Sequence, residues 1–336
     1  MKTTSLAITF AIGVLAACST PAPRAPATKA SVDAHVADAT RLAGADLQPL
    51  LVLCQAAPAT RPPQAAVDSG IAAQIARTPP EPGRAFDNLH YVGSAWVSAW
   101  AFSTPDGVIL IDALNNQLEA AGLIEGGMRK LGLDPARIRY VVVTHGHGDH
   151  YGGANYLVGR YQPRIVMSDL DWTMTATQLE FASAHWGAPP KRGANDVAVR
   201  DADSIALGGA RMTFHVTPGH TLGTISPVFE VKDGARTHRA MLWGGTAFNF
   251  GNNLPRLDTY IDATDRMAAL AEREGVDVML SNHPGYDDTV AKMARVKSMA
   301  PGTDNPFVIG TPKVVRSLKV MGACARAQRD RFAMMS

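Results

Sequence analysis

The chain has 336 residues, of which 46% are hydrophobic and 18% are charged. This length suits one large domain or two ordinary ones, and the hydrophobic share can build a sizeable core, which excludes wholesale disorder. The 32 Lys and Arg residues nearly balance the 30 Asp and Glu residues, and the net charge of +2 argues against a dedicated nucleic-acid-binding protein. Three cysteines are too few for a disulfide-built scaffold or a Cys-ligated zinc domain.

The N-terminus has the pattern of a secretion signal, predicted over residues 1–17. Its apolar run, 6–17, would make about 18 Å of helix, too short for a bilayer core of about 30 Å. Leu15-Ala16-Ala17-Cys18 resembles the bacterial lipobox, which implies lipid modification of Cys18; the alternative is an ordinary signal cleaved near the same point. We therefore expect a periplasm-facing, membrane-anchored lipoprotein of the bacterial envelope, and Ser19 favours the outer membrane.

Two further segments precede the main domain, which we expect to occupy residues 86–336. Residues 18–31 are rich in Pro, Ala, Ser and Thr, which predicts a flexible tether between anchor and domain or simply a disordered terminus. Residues 32–85 form an N-terminal extension. It has helical spacing over 32–56, and the proline-rich stretch over 58–82 is expected to be irregular.

The main domain shows strands followed by helices, and this order occurs twice. It predicts an α+β (αβ/βα) sandwich in which two mixed β-sheets pack together, with helices on both outer faces. The predicted strands cover 89–93, 97–102, 108–112, 140–144, 164–168, parts of 195–217, 225–232, 239–244 and 276–281. The predicted helices cover 117–131, 152–162, 169–185, 258–274 and 287–299.

The strand over 140–144 runs directly into the segment His145-Gly146-His147-Gly148-Asp149-His150. The two glycines let the backbone turn sharply. The first two histidines can then reach one metal ion, and the Asp-His pair can turn towards a second. Imidazole and carboxylate ligands without a thiolate suit zinc, although iron and manganese stay open on chemistry alone. The segment therefore predicts a metal centre at the end of a strand.

This segment resembles the HxHxDH signature of the metallo-β-lactamase superfamily, and the resemblance extends over about residues 86–299. Three further segments agree with it in the required order: Ile111-Asp112-Ala113, Pro218-Gly219-His220-Thr221 and Ser281-Asn282-His283-Pro284-Gly285. The resemblance implies two Zn²⁺ per chain, one held by His145, His147 and His220, the other by Asp149, His150 and His283. It also implies that Asp112 supports the metal loop by hydrogen bonding to it, although an acid there can also merely cap a turn.

One departure from the family pattern indicates a subclass. Glyoxalase-like and lactonase-like members usually place a bridging aspartate near Gly245 and Thr246, and the first subclass of zinc β-lactamases places a cysteine there. This chain has neither, and its ligand set most resembles the third subclass. Thr246 would then lie where that subclass commonly has a serine near substrate. Tyr151, Phe248 and Asn249 are further candidates for the substrate pocket, with core or loop roles as the alternative.

The resemblance implies a metallo-β-lactamase that opens the β-lactam ring with a zinc-activated water oriented by Asp149, without an acyl-enzyme. One alternative is a dinuclear zinc hydrolase of the same fold acting on another lactone, ester or amide. An alternative of another class is a zinc-binding envelope lipoprotein without turnover. For the leading hypothesis we expect a monomer that acts on a small molecule and binds no nucleic acid.

The two remaining cysteines suit the expected compartment. Cys54 lies in the N-terminal extension and Cys324 near the C-terminus. In an oxidising space they are candidates for a disulfide that staples the two ends over the domain, and the alternative is two buried thiols.

Overall fold

The computed structural model of the protein describes residues 26–300 and 302–335. The predicted signal peptide and the predicted lipidation at Cys18 lie outside this range, as does most of the predicted tether. Within it, no helix combines the length and the apolar character needed to cross a membrane.

The N-terminal extension contains more regular structure than the sequence predicts. Helix α1 (Lys29–Ala43) begins inside the predicted tether, because Thr28 and Ser31 form a capping box in which each side chain accepts a hydrogen bond from the other residue's backbone N–H. A 3-10 helix (Gln48–Cys54) follows. Helix α2 (Gln64–Ile75) then lies in the stretch expected to be irregular, and it can form because this segment contains no proline and Pro63 is its N-cap residue.

The strands form two sheets, both of mixed direction as predicted. The first sheet comprises β1 (Gly83–Phe86), β2 (Leu89–Tyr91), β3 (Trp100–Thr104), β4 (Gly107–Ile111), β5 (Ile138–Val142), β6 (Arg164–Ser168) and β7 (Val197–Val199). The second comprises β8 (Ser204–Leu207), β9 (Ala210–Val216), β10 (Ile225–Asp233), β11 (Arg236–Trp243) and β12 (Val278–Ser281). The first sheet has the order β1-β2-β3-β4-β5-β6-β7 and becomes parallel from β4 onward. The second has the order β12-β11-β10-β9-β8, and its only parallel pair among the described residues is β11 with β12.

Helices cover the outer faces of both sheets. The remaining helices are α3 (Gln117–Glu119), a π-helical segment (Ala120–Glu125), α4 (Gly126–Lys130), a 3-10 turn (Pro135–Arg137), α5 (Gly148–Tyr151), α6 (Ala154–Tyr161), α7 (Asp169–Thr177), α8 (Leu254–Glu274), α9 (Thr289–Ser298) and α10 (Thr311–Ala333). The helix predicted over 169–185 ends at Thr177, and residues 178–185 form a loop. The long C-terminal helix α10 has no counterpart among the predicted elements.

Three apolar layers hold these elements together. Side chains from both sheets, among them Trp100 and Phe214, form the layer between the sheets. A second layer lies between the first sheet and helices α4, α6 and α7. A third lies between the second sheet and helices α1, α8 and α10. This arrangement confirms the predicted α+β sandwich.

The third layer also contains the two candidate cysteines. Cys54 and Cys324 form a disulfide whose Cα atoms lie 4.4 Å apart, although the residues are 270 positions apart in sequence. The extension is therefore joined covalently to α10 and is part of the same body as the sandwich.

Candidate metal centre

The predicted metal loop lies at the edge where strands of both sheets end. Asp112 follows β4, His145 lies three residues after β5, and His283 lies two residues after β12. Neither glycine of the loop has a positive φ, so their small size and not an unusual backbone conformation distinguishes them here. A Cβ on Gly146 would lie 2.6 Å from the Met174 side chain, and one on Gly148 would lie 2.5 Å from the Trp186 ring. The loop is therefore packed tightly against the chain around it.

The first cluster of imidazoles brings three ring nitrogens together. Nε2 of His145 lies 3.1 Å from Nδ1 of His147 and 3.0 Å from Nε2 of His220, and the last two atoms are 3.2 Å apart. The opposite nitrogen of His145 donates to the Gly244 carbonyl at 2.7 Å, and that of His220 donates to the Ala247 carbonyl at 2.8 Å. The lone pairs of His145 and His220 therefore face inward, as metal ligands do.

The electrostatics of this cluster suit a bound cation. Burial, followed by repulsion from the neighbouring imidazoles, holds the pKa of His145 well below its usual value, and burial does the same for His220. Neutral imidazole is the form that binds a metal. His147 differs from the other two because its outer Nε2 is buried without a hydrogen-bond partner, with the nearest Glu180 oxygen 3.5 Å away.

The second cluster contains Asp149, His150 and His283. One Asp149 oxygen lies 3.3 Å from Nε2 of His150 and 3.5 Å from Nε2 of His283. His283 donates from Nδ1 to the Trp96 carbonyl at 2.7 Å, while Nε2 of His150 is buried without a hydrogen-bond partner. Although burial opposes it, Asp149 and Asp112 raise the pKa of His150 to about 10. The site thus favours a positive charge between these groups.

Asp112 makes the contacts that the resemblance implied. It is 1% exposed, and it accepts hydrogen bonds from the backbone N–H of Thr144 at 2.8 Å, the Thr144 hydroxyl at 3.0 Å and Nδ1 of His150 at 2.8 Å. Its φ of 61° lies in the left-handed region, which is uncommon for a residue other than glycine. The carboxylate therefore orients His150 and holds the start of the metal loop.

Asp171 on α7 is a second supporting carboxylate, and no sequence motif indicates it. It accepts hydrogen bonds from the Gly146 N–H at 2.7 Å, the Thr221 hydroxyl at 2.7 Å and the Gly223 N–H at 3.1 Å. Burial raises its pKa. In sequence it is one of two acids in the first turn of a helix, a position that surface residues commonly fill, so no signal separates it from Asp169.

Glu180 and Arg256 form a further link between the ligand loops. Glu180 lies beside His147 and accepts a hydrogen bond from Arg256 at 2.7 Å. Arg256 also donates to the backbone carbonyls of Gly219 and His220. Burial opposes ionisation of Glu180, but the neighbouring His147 imidazole and the Arg256 guanidinium outweigh it and lower the pKa to about 2.

A cleft of about 610 Å³ opens above both clusters. Its floor includes His147, Asp149, His220 and His283. Its walls include the aromatic residues Trp96, Phe181, Trp186, Phe248 and Tyr286, and residues of the N-terminal extension between 52 and 77.

Two of the four candidate pocket residues line this cleft, namely Phe248 and Asn249. Thr246 instead lines a neighbouring cavity of about 420 Å³, where its buried hydroxyl has no hydrogen-bond partner. Tyr151 lies in the layer between the first sheet and its helices and is 1% exposed. It is therefore a core residue and not a residue of the substrate pocket. The aromatic side chain turns away because α5 packs Tyr151 inward while Asp149 faces the cleft.

The chain is similar in sequence to one family and to curated hydrolases. Residues 96–236 match the family described as the metallo-beta-lactamase superfamily. A hydroxyacylglutathione hydrolase of Rhodopseudomonas palustris (strain BisB5) is 33% identical over 111 residues, which are 33% of this chain and 34% of that protein. The chain thus spans about a third of the length of that curated relative.

Solved structures share the fold over most of the chain. Native FEZ-1 metallo-beta-lactamase from Legionella gormanii superimposes with a TM-score of 0.62 at 23% identity, covering 71% of this chain and 92% of that one. BJP-1, a subclass B3 metallo-beta-lactamase of Bradyrhizobium japonicum, superimposes with a TM-score of 0.58 at 26% identity, covering 71% and 90%. These likenesses agree with the topology described above.

Proposed function

We propose that this protein is a zinc-dependent hydrolase that opens the β-lactam ring of antibiotics, and the match of residues 96–236 to the metallo-beta-lactamase superfamily supports this proposal. The observation that carries the proposal is the donor set. The clusters supply five imidazoles and one carboxylate, with Gly245 and Thr246 at the place where other branches supply an acid or a thiolate.

The residues present fit two zinc ions. The inward nitrogens of His145, His147 and His220 would hold the first. Asp149 and His150 would hold the second, together with His283, whose Nε2 lies 3.5 Å from the Asp149 carboxylate. The unpartnered Nε2 of His150 supports a ligand role, since a buried polar atom without a partner is costly. When bound, zinc supplies a Lewis acid and lowers the pKa of a coordinated water to about 7.

The chain's own groups position the reaction. Asp149 is at the floor of the cleft, where its carboxylate accepts a hydrogen bond from the attacking water and orients it towards the lactam carbonyl. The rings of Trp96, Phe181 and Phe248 exclude bulk water from one side of this site. Neither a serine nor a cysteine is among the described cleft-lining residues, which favours direct attack by water over an acyl-enzyme.

A second candidate function is hydrolysis of a thioester or another ester at the same centre. It is favoured by the 33% identity to a hydroxyacylglutathione hydrolase. The missing acid at Gly245 and Thr246 is the feature that places it second. We also propose that the enzyme acts as a monomer, anchored to the envelope through Cys18; a zinc-binding lipoprotein without turnover is the remaining alternative.

The test is hydrolysis by a soluble form that starts after Cys18. A penicillin, a cephalosporin, a carbapenem and S-lactoylglutathione are each assayed with zinc and with chelator. We expect chelator-sensitive β-lactam turnover with kcat/KM of about 10⁴ M⁻¹s⁻¹ or more, the ordinary enzyme range. A His147→Ala variant, assayed for zinc content and turnover, is the matched control. Turnover of the thioester alone would support the second candidate, and no turnover in zinc-loaded protein would leave the metal site standing but move the proposal to another substrate.

A further inference from the structure

Residues 55–77 cross the edge of the sandwich as a strap that closes one wall of the cleft. The N–H of Ala57 donates to the Gln328 side chain of α10 at 2.9 Å. The Ala59 carbonyl accepts from the Asn252 N–H at 2.9 Å, in the loop that also carries Phe248. Gln64 donates to the Ala182 carbonyl at 2.8 Å, in the loop that also carries Phe181. The strap is thus held on two sides of the metal centre.

The strap brings positive charge to the outer part of the cleft. Arg61 and Arg77 both line it, and neither forms an ion pair with a carboxylate of the described residues. Asp149 is the one carboxylate among the described lining residues, and it faces His150 and His283 on the floor. The walls above the floor therefore carry two guanidinium groups without a compensating acid.

Arg61 is the guanidinium group that the contacts connect to the metal centre. Its central carbon lies 4.1 Å from the centroid of the Phe181 ring. That ring packs edge-to-face against His147, with centroids 4.8 Å apart. One N–H of Arg61 donates to the Glu180 carbonyl, and this contact fixes the guanidinium while leaving its other donors for a ligand. A single aromatic ring therefore separates Arg61 from a metal-binding imidazole.

We propose that Arg61 binds a carboxylate of the substrate while the scissile carbonyl lies over the histidines. The proposal rests on the proposed function, and it defines the substrate class as anionic. A planar guanidinium forms paired, charge-assisted hydrogen bonds with a carboxylate, which a neutral ester of the same group cannot accept equally well. Arg77 adds positive potential at the cleft but has no comparable contact with the centre.

The test compares Arg61→Gln and Arg61→Lys with the wild type on benzylpenicillin and on its neutral methyl ester. For Arg61→Gln we expect KM for benzylpenicillin to rise about tenfold or more, with kcat changing less than about threefold. KM for the methyl ester should stay within about twofold of the wild-type value. Arg61→Lys should recover part of the loss, because it keeps the charge but not the paired geometry.

Arg211→Gln is the matched control, since it removes an exposed positive charge from β9, which does not line the cleft. It should leave KM for both substrates unchanged. An equal rise in KM for benzylpenicillin and its ester after Arg61→Gln would show that Arg61 only packs the strap, and an unchanged KM for benzylpenicillin would also overturn the proposal.

Failure of the proposed function is distinguishable from failure of this inference. If the wild type hydrolyses only S-lactoylglutathione, the same comparison is made with that thioester and its glutathione diethyl ester. If the wild type hydrolyses neither benzylpenicillin nor S-lactoylglutathione, the binding of benzylpenicilloate is measured instead. The signal is the fluorescence of Trp96 and Trp186, which line the cleft. Binding that weakens about tenfold or more in Arg61→Gln supports the proposal; equal binding by both proteins, or none by the wild type, overturns it.

Discussion

At the scale of single residues, Asp171 connects two loops that carry metal-binding histidines. Its two oxygens accept hydrogen bonds from Gly146, between His145 and His147, and from Thr221 and Gly223, just after His220. An asparagine has only one carbonyl oxygen, and its NH₂ group would face an N–H or O–H donor. The carboxylate is thus required by the donors around it.

We predict that Asp171→Asn lowers the affinity for zinc about 10–100-fold and the free energy of unfolding by about 1–3 kcal/mol. The reason is that at least one buried donor loses its acceptor and the loops separate. Asp169→Asn is the control, because Asp169 lies on the same helix, is 40% exposed and, among the described residues, forms ion pairs only with surface arginines. Zinc titration and denaturant unfolding measure both effects, and equal behaviour of the two variants would contradict the role given to Asp171.

At the scale of elements, Glu125 joins the π-helical segment to α6. Its carboxylate accepts hydrogen bonds from the Tyr156 hydroxyl at 2.6 Å and from Arg160 at 3.0 Å, and Arg129 also donates to it. Burial opposes ionisation of this group, which is 4% exposed. Hydrogen bonds from Tyr156 and Arg129, together with the nearby Tyr161 hydroxyl, outweigh that effect and lower the pKa to about 2.

This lowered pKa predicts a pH-dependent contribution to stability. An acid whose pKa falls on folding stabilises the protein above its unfolded pKa of about 4.5, and that stabilisation is lost as the pH falls towards 2. With allowance for solvent screening by the exposed arginines, Glu125→Gln should lower the free energy of unfolding by about 1 kcal/mol at pH 7. The difference from wild type should shrink below pH 5.

Unfolding curves at several pH values, with chelator present so that release of any bound metal does not contribute, measure this difference. Glu81→Gln is the control, since Glu81 is 74% exposed and its 3.6 Å ion pair with Lys130 is a surface one. A constant difference between wild type and Glu125→Gln from pH 7 to pH 2 would refute the ionic explanation.

At the scale of the whole molecule, the N-terminal extension and α10 cover the second sheet together. The disulfide between Cys54 and Cys324 joins them, and Arg331 of α10 donates to the Cys54 carbonyl at 2.8 Å. The strap begins directly after Cys54. The covalent link therefore also holds the start of a wall of the cleft.

We predict that the double variant Cys54→Ser with Cys324→Ser loses about 2–5 kcal/mol of unfolding free energy, because the unfolded chain is no longer closed into a long loop. In a reducing agent, the Tm of the wild type should fall to the Tm of the double variant. The variant itself should not respond to the reducing agent, which serves as the internal control. A wild type whose Tm is the same with and without reductant would argue against a stabilising bridge.

Most strands and the fold class were predictable from local patterns. The strand predicted over 164–168 has the same bounds in the structure. Its apolar run lies between two helices, and such a pattern of neighbouring residues can be read from the sequence. The sequence does not predict helix α2, because prolines on both sides of it make the whole stretch look irregular. It does not predict α10 either. The loop over 178–185 was expected to be helical, yet it turns to place Phe181 beside His147.

The sequence by itself determined the donor types of the centre, their order along the chain and the two-sheet architecture, because spacing and apolar pattern are properties of neighbouring residues. Only the tertiary structure decided which distant groups support those donors. Asp171, Glu180 and Arg61 look like ordinary surface charges in sequence, and they acquire their roles because separate loops meet at one edge of the sandwich. The packing of helices on the first sheet also places the Tyr151 side chain in the core, since the direction of a side chain depends on the elements that cover it.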